Sequence, residues 1–315
     1  MTLKTNQKAT RQEQDPTNQA GTRARATRDN NQRLNNAARK ILAAWRDVDA
    51  KKTTRKKIIN ELSSNETLDF YVYDLTSRGK EDLFVEISDS VNEELETAEV
   101  TPPFDWYYQQ YIETAYRGGT IQENAEIAVL LALVVGSITI ETASILSSSQ
   151  YLDLLKAAVN KNYPLFKGLS ETTSKQVFQV ITDGIDAGLS KSAIRRKIIE
   201  RFEVAKSSAK RIVDTEVNRA YNNARTDLIK FYRDNGEPLA VQHISALLKT
   251  TRINHAARHG RVYTPEQQDR WWAEGSNRIN CKCSIRAIVV NRDGTVANKA
   301  AQNKVIERGK EIFEG

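Results

Sequence analysis

His255, His259, Cys281 and Cys283 are the residues whose types could hold a metal ion. Two imidazoles one helical turn apart and two thiols are the donor mixture of a four-coordinate zinc site. The spacing argues the other way. Structural zinc sites commonly use C-x-x-C or longer, whereas Cys281 and Cys283 flank a single lysine, and a strand carrying them is expected to aim their sulfurs apart unless the backbone kinks. A redox pair is disfavoured on the same ground. The competing role is packing, with both cysteines as small apolar groups at a strand end and His255 making a buried hydrogen bond beside Arg252. Packing is the expectation, with no cofactor and zinc on the four residues as the alternative. Glu216 could act as a catalytic acid, but no nucleophile or second positioned carboxylate accompanies it in sequence. A hydrogen bond or an ion pair to Arg252 or Arg225 is expected instead. No phosphate-cradling glycine loop and no Ser-His-Asp order is found, so no enzyme activity and no small-molecule substrate are expected.

These residues must be positioned by helices. The chain of 315 residues holds 6 prolines and 14 glycines among long runs of helix formers, with 39% hydrophobic residues. That composition predicts a mainly α protein, an elongated multi-helix body with a small C-terminal α+β domain of short antiparallel strands near the carboxyl end. With two cysteines there is no disulfide framework, and reduced thiols are expected. MTLKTNQKATRQEQDPTNQAG lacks the apolar core of a secretory signal. Formal net charge is +7. Residues 1–57 alone carry an excess of about ten positive charges, which favours a polyanionic partner. Candidate phosphate contacts are Arg23, Arg25, Arg28, Arg39, Lys40, Lys51, Lys52, Arg55, Lys56 and Lys57; the alternative is a solvated helix face.

The order of elements follows from periodicity. Leu34, Ala37, Ala38, Ile41, Leu42 and Trp45 share one face of a long basic helix, which KKTTRKK (51–57) closes. DFYVYDL (69–75) reads as a strand or a helix start. After Pro102 and Pro103, the residues Trp106, Tyr107, Tyr111, Ile112 and Ala115 form a helical stripe expected to end at Gly118 and Gly119. Ile127 to Ile140 is a fourteen-residue apolar run, about 21 Å as helix, shorter than the ~20 residues a bilayer span needs. A buried helix is expected there. Further on, GIDAGLS breaks a helical pattern, Ser190 caps the next helix, and a separate helix from about Ser207 closes at Asn235-Gly236. QHISA, GRVYT and SIRAIVV supply the strands. The expected domains are 1–57, a basic arm and helix; 58–210, a helical body; 211–290, the α+β domain; and 291–315, a tail.

GLSKSAIRRKIIERF, RIVDTEVNRAYNNAR, TRINHAARHGRVY and NCKC occur in an order and at a spacing that resemble the Mu F-like minor head proteins of tailed bacteriophages. Thr215, Glu216, Asn218, Ala224 and Arg225 match the first part of that pattern, and Thr251, Arg252, His255, Gly260, Asn280, Cys281 and Cys283 the second. Asp214 and Lys282 stand where the family usually has arginine, and the aspartate that commonly precedes the T-R-x-x-H segment is missing. Asp15-Pro16-Thr17 followed by arginines also resembles the opening of family members. The resemblance implies a minor capsid protein, recruited in the host cytoplasm during assembly and sited inside the head near the portal vertex. Its partners would be the portal protein, capsid or scaffolding protein, and packaged double-stranded DNA bound without sequence preference; its motif residues would be structural. Two other readings are an ejection protein with a membrane-active apolar helix and a metal-dependent nuclease.

Overall fold

The computed structural model describes residues 19–59, 62–96, 105–134 and 140–314. In chain order these form helix α1 (Gln19–Asp47), strands β1 (Ala50–Ile59) and β2 (Leu62–Tyr73), and helix α2 (Ser77–Leu95). A helical turn (Asp105–Tyr107) and a π-helical segment (Tyr108–Glu113) lead into α3 (Thr114–Val134), followed by α4 (Thr142–Leu146), α5 (Ser149–Asp186) and α6 (Lys191–Asp234). Next come β3 (Leu239–Ile244), α7 (Ile253–Ala256), β4 (Val262–Tyr263), α8 (Pro265–Ala273), β5 (Ser284–Val289) and α9 (Lys299–Glu314). The protein is therefore mainly α with a small α+β portion at the carboxyl end. It divides into two compact units, one of Thr27–Asp105 with Tyr163–Lys210, the other of Met1–Ala26, Trp106–Asn162 and Arg211–Gly315.

In the first unit, α1 buries Leu34, Ala37, Ile41 and Trp45, the stripe that its periodicity predicts. The lysine-rich run that follows is not the end of a helical arm. It is β1, paired antiparallel with β2 from Ala50↔Tyr73 to Ile59↔Leu62 with a register shift between Lys56 and Ile58. Threonines, isoleucines and the aromatic residues of β2 favour the extended chain, a preference hidden in the sequence by the density of charge. Strands are thus not confined to the carboxyl end, and DFYVYDL is strand as far as Tyr73. The hairpin docks on the α5–α6 turn. Tyr71 N–H donates to Gly188 O at 3.0 Å and the Tyr73 hydroxyl to Leu189 O at 2.7 Å. Gly188 has φ +62°, and a Cβ there would stand 2.1 Å from the Phe70 ring. Ser190 caps α6 as its position predicts, its hydroxyl accepting from Ala193 N–H at 3.2 Å.

The second unit holds the three-stranded antiparallel sheet, ordered β4-β3-β5. Its register runs from Leu239↔Val289 to Ile244↔Ser284 on one side and pairs Val241 with Tyr263 on the other. The predicted strands occur, with β3 beginning earlier, at Leu239, and ending before Ser245. Ile127 and Leu131 of α3, Leu228, Ile229 and Tyr232 of α6, and Trp272 of α8 pack with Val241, Ile285 and Ala287 in one core. The apolar run is buried on that face alone; Val129 and Leu133 are exposed, and residues 135–139 lie outside the described ones. Among the described residues, no helix is long and apolar enough to cross a membrane.

Two expected helix boundaries are absent. Gly118 and Gly119 do not cap a helix, because α3 continues through them to Val134. A Cβ on Gly119 would lie 2.3 Å from Tyr221 O and 3.1 Å from Ala224 Cβ, so glycine serves here to let α3 and α6 approach backbone to backbone. Nor does a new helix begin near Ser207: α6 runs unbroken for 44 residues, since nothing between Lys191 and Asp234 is a proline or a glycine.

Candidate functional site

The second half of α6 presents Thr215, Asn218 and Asn222 along one line, at i, i+3 and i+7. They hold the loop that precedes β5. Thr215 Oγ1 accepts from Asn280 N–H at 2.9 Å, where Asn280 takes the left-handed φ of 51°. Asn218 Nδ2 donates to Cys281 O at 2.9 Å and to Cys283 O at 3.2 Å, and its Oδ1 accepts from Gln19. Asn222 Nδ2 donates to Cys283 O at 3.2 Å, while its Oδ1 accepts from the Ser284 hydroxyl at 3.2 Å. With the carbonyls of both cysteines drawn to α6, the loop is pinned in one conformation. Asn222 carries no motif match; its spacing of four from Asn218 was the available signal.

The expectation that the sulfurs diverge is overturned. Residues two apart in an extended chain share a face, and both Cys281 Sγ and Cys283 Sγ lie 3.5 Å from His255 Nδ1. Both thiols are free and buried, as is His255. Cys283 N–H donates to Cys281 Sγ at 3.4 Å, and Cys283 Sγ lies 3.8 Å from the Ser245 hydroxyl. The hydrogen bond from the Cys283 side chain, aided by His255 and the Cys283 N–H, holds the Cys281 thiol well below the usual thiol range against the opposing effect of burial. The same bond and burial push Cys283 up. Among the described residues His255 Nε2 has no hydrogen-bond partner, and the ring stands at 64° to Trp271 with centroids 4.8 Å apart.

His259 does not join this group. Helix α7 is only Ile253–Ala256, so the two histidines are not on successive turns of one helix. His259 Nδ1 accepts from Ser245 N–H at 3.2 Å, and its ring fills the place that a Cβ on Gly309 would need. Gly260 has φ +74°, and a Cβ there would meet Ile306 at 2.6 Å. Arg252 ties the loop from outside, donating to Ser276 O at 2.7 Å and Asn277 O at 2.8 Å.

The expected partners of Glu216 are not Arg252 or Arg225. Glu216 accepts from Arg219 at 2.9 Å, one turn on. Arg225 is nine residues further along α6, about 13 Å by the helical rise, which is out of reach. It is instead buried between Glu123 and Glu126 of α3, a network the sequence did not reveal because its partners lie about a hundred positions away. Glu123 also accepts from Ala287 N–H at 2.6 Å. Burial pushes the Glu123 carboxyl up to about 7 against the pull of Arg225. Arg225 is itself held up by the two carboxylates against burial.

Asp214 and Lys282, two of the departures from the family pattern, pair with each other at 2.8 Å. Of the basic candidates, Arg23 and Arg25 fall in the second unit and the others in the first. Arg23 is turned 4.0 Å from Asp214, and Arg25 donates to Thr22 at 3.4 Å. Arg28, Arg39 and Lys51 are exposed. Lys40 pairs with Glu93 and Glu94, each at 2.8 Å, and Lys52 with Asp69 at 2.9 Å. Arg55, Lys56 and Lys57 lie on β1, their side chains outside the described ones, as are Asp15, Pro16 and Thr17 entirely.

A family model described as Phage Mu protein F like protein matches residues 175–286. The matched segment contains the second half of α6, His255 and both cysteines. Over those residues the chain is similar to the Mu F-like phage head morphogenesis family. No curated protein and no solved structure matches the chain.

Proposed function

With a Mu F-like head-morphogenesis segment at residues 175–286 as the premise, we propose that the protein is a minor capsid component of a tailed phage, bound inside the head near the portal and in contact with packaged DNA. The family match is the observation that carries this reading. Chemistry supports the DNA contact. Arg28, Arg39 and Lys51 stand exposed in the basic amino-terminal fifth of the chain. Each cation that neutralises a phosphate releases counterions and gives affinity without base readout. Lys40 and Lys52 are partly neutralised by neighbouring carboxylates and contribute less. The role is one of adhesion rather than turnover, with portal, capsid or scaffolding protein as the protein partners.

The membrane-active reading loses support because Ile127 and Leu131 are committed to the core. Two measurements test the proposal. Co-expressed with portal and procapsid proteins, the chain should co-sediment with assembled particles; recovery only in the soluble fraction defeats the head assignment. Binding to mixed-sequence duplex should weaken with a log–log salt slope of about −0.9 per phosphate contact, and Arg28→Glu with Arg39→Glu should flatten it. A slope unaltered by that double change removes these residues from the DNA surface.

A further inference from the structure

We propose that His255 Nδ1 and the sulfurs of Cys281 and Cys283 bind one zinc ion, with an oxygen of water or of the Ser245 hydroxyl as the fourth ligand. The three donor atoms all lie within 4.8 Å of one another, and all three residues are buried. Distances fit a shared ion. With Zn–S about 2.3 Å and Zn–N about 2.0–2.1 Å at tetrahedral angles, sulfur and nitrogen on one ion stand about 3.6 Å apart. Both nitrogen-to-sulfur separations here are 3.5 Å. For the oxygen vertex the corresponding separation from sulfur is also about 3.6 Å, and Ser245 Oγ lies 3.8 Å from Cys283 Sγ.

The surroundings favour the ligating forms. Nδ1 is the His255 nitrogen that faces both sulfurs, while Nε2 has no hydrogen-bond partner among the described residues, so a proton carried on Nε2 leaves the Nδ1 lone pair for a metal. Cys283 N–H already donates to Cys281 Sγ, as a thiolate requires. Asn218 and Asn222 fix the loop carbonyls, so that the two sulfurs are aimed before metal arrives. Each sulfur binds as a thiolate: a thiol that is still protonated gives its proton to solvent as its Zn–S bond forms, and no electron is transferred. The role is a staple that ties α7 to the loop before β5, independently of any phage-head partner.

The test uses the full chain, purified under reducing conditions without chelator. Elemental analysis should find about one zinc per chain, and cobalt replacement should give thiolate-to-cobalt charge-transfer absorption. Cys281→Ser and His255→Ala should each weaken zinc binding by more than about 100-fold and Asn218→Ala by about 10-fold, while His259→Ala, which removes no proposed ligand, should keep the one-to-one stoichiometry. Circular dichroism of each variant separates lost metal from lost fold, and the cobalt spectrum of the unaltered chain needs no variant at all. A folded, reduced chain that neither carries zinc nor yields the charge-transfer band overturns the proposal, as does stoichiometric zinc that survives replacement of both cysteines.

Discussion

Replacing Arg225 by methionine should be among the most damaging single changes outside the apolar core. Arg225 is nearly inaccessible, Glu123 is wholly so, and Glu126 is partly exposed. Removing the guanidinium leaves the Glu123 carboxylate buried without a cation, a loss of about 3–5 kcal/mol. That is a large share of the ~5–15 kcal/mol by which a protein is stable. With a denaturant slope of about 2 kcal/mol/M, the urea midpoint should fall by about 2 M. Fluorescence of Trp271 and Trp272 reports on the unit concerned. Adding Glu123→Gln removes the orphaned charge yet keeps an acceptor for Ala287 N–H, so the double variant should regain at least about 2 kcal/mol over Arg225→Met. The damage should also depend on pH. Glu123 has a folded pKa raised to about 7, above its unfolded value of about 4.3. Its contribution is therefore fully present below about pH 4 and is lost as pH rises through 7. In Arg225→Met the loss of stability should shrink on acidification from pH 8 to pH 5. A midpoint shift under about 0.5 M, or a double variant as unstable as the sum of the singles, contradicts the buried-pair reasoning.

Gly119→Ala should destabilise by about 1–3 kcal/mol through the clash with Tyr221 O, despite a helix-propensity gain of up to about 1 kcal/mol. Gly168→Ala, where nothing lies within 4 Å of an added Cβ, should be neutral or stabilising by up to about 1 kcal/mol in the same melting experiment. Asn218→Ala frees the buried Cys281 carbonyl and leaves that of Cys283 to Asn222 alone, at a cost of about 1–3 kcal/mol, and Cys281 and Cys283 should then react faster with a thiol reagent. Unchanged labelling rates in that variant contradict the pinning role of Asn218. Gly188→Ala, at φ +62° and against Phe70, should loosen the hairpin and speed proteolysis between β1 and β2.

Local signals were legible and distant ones were not. The stripe from Leu34 to Trp45, the Ser190 cap and the three C-terminal strands follow from periodicity and capping chemistry that operate within a few residues. Gly119 was misread because a glycine that ends a helix and one that admits a neighbouring backbone look alike until the neighbour is known. The β1 run was misread because lysine and arginine dominate its composition while its threonines and isoleucines set its conformation. At the candidate site, the residue types His255, Cys281 and Cys283 were visible. Their convergence depends on Asn218 and Asn222 drawing the loop carbonyls to α6, a contact across more than sixty positions.

The hydrogen bond from Ala287 to Glu123 has a consequence for solubility. Strand β5 pairs with β3 on one side, and on its other border Ala287 N–H is held by Glu123 and Val289 O accepts from Ala297 N–H at 3.1 Å. A carboxylate seated on the middle amide of that border withholds a donor that an incoming extended chain would need for pairing.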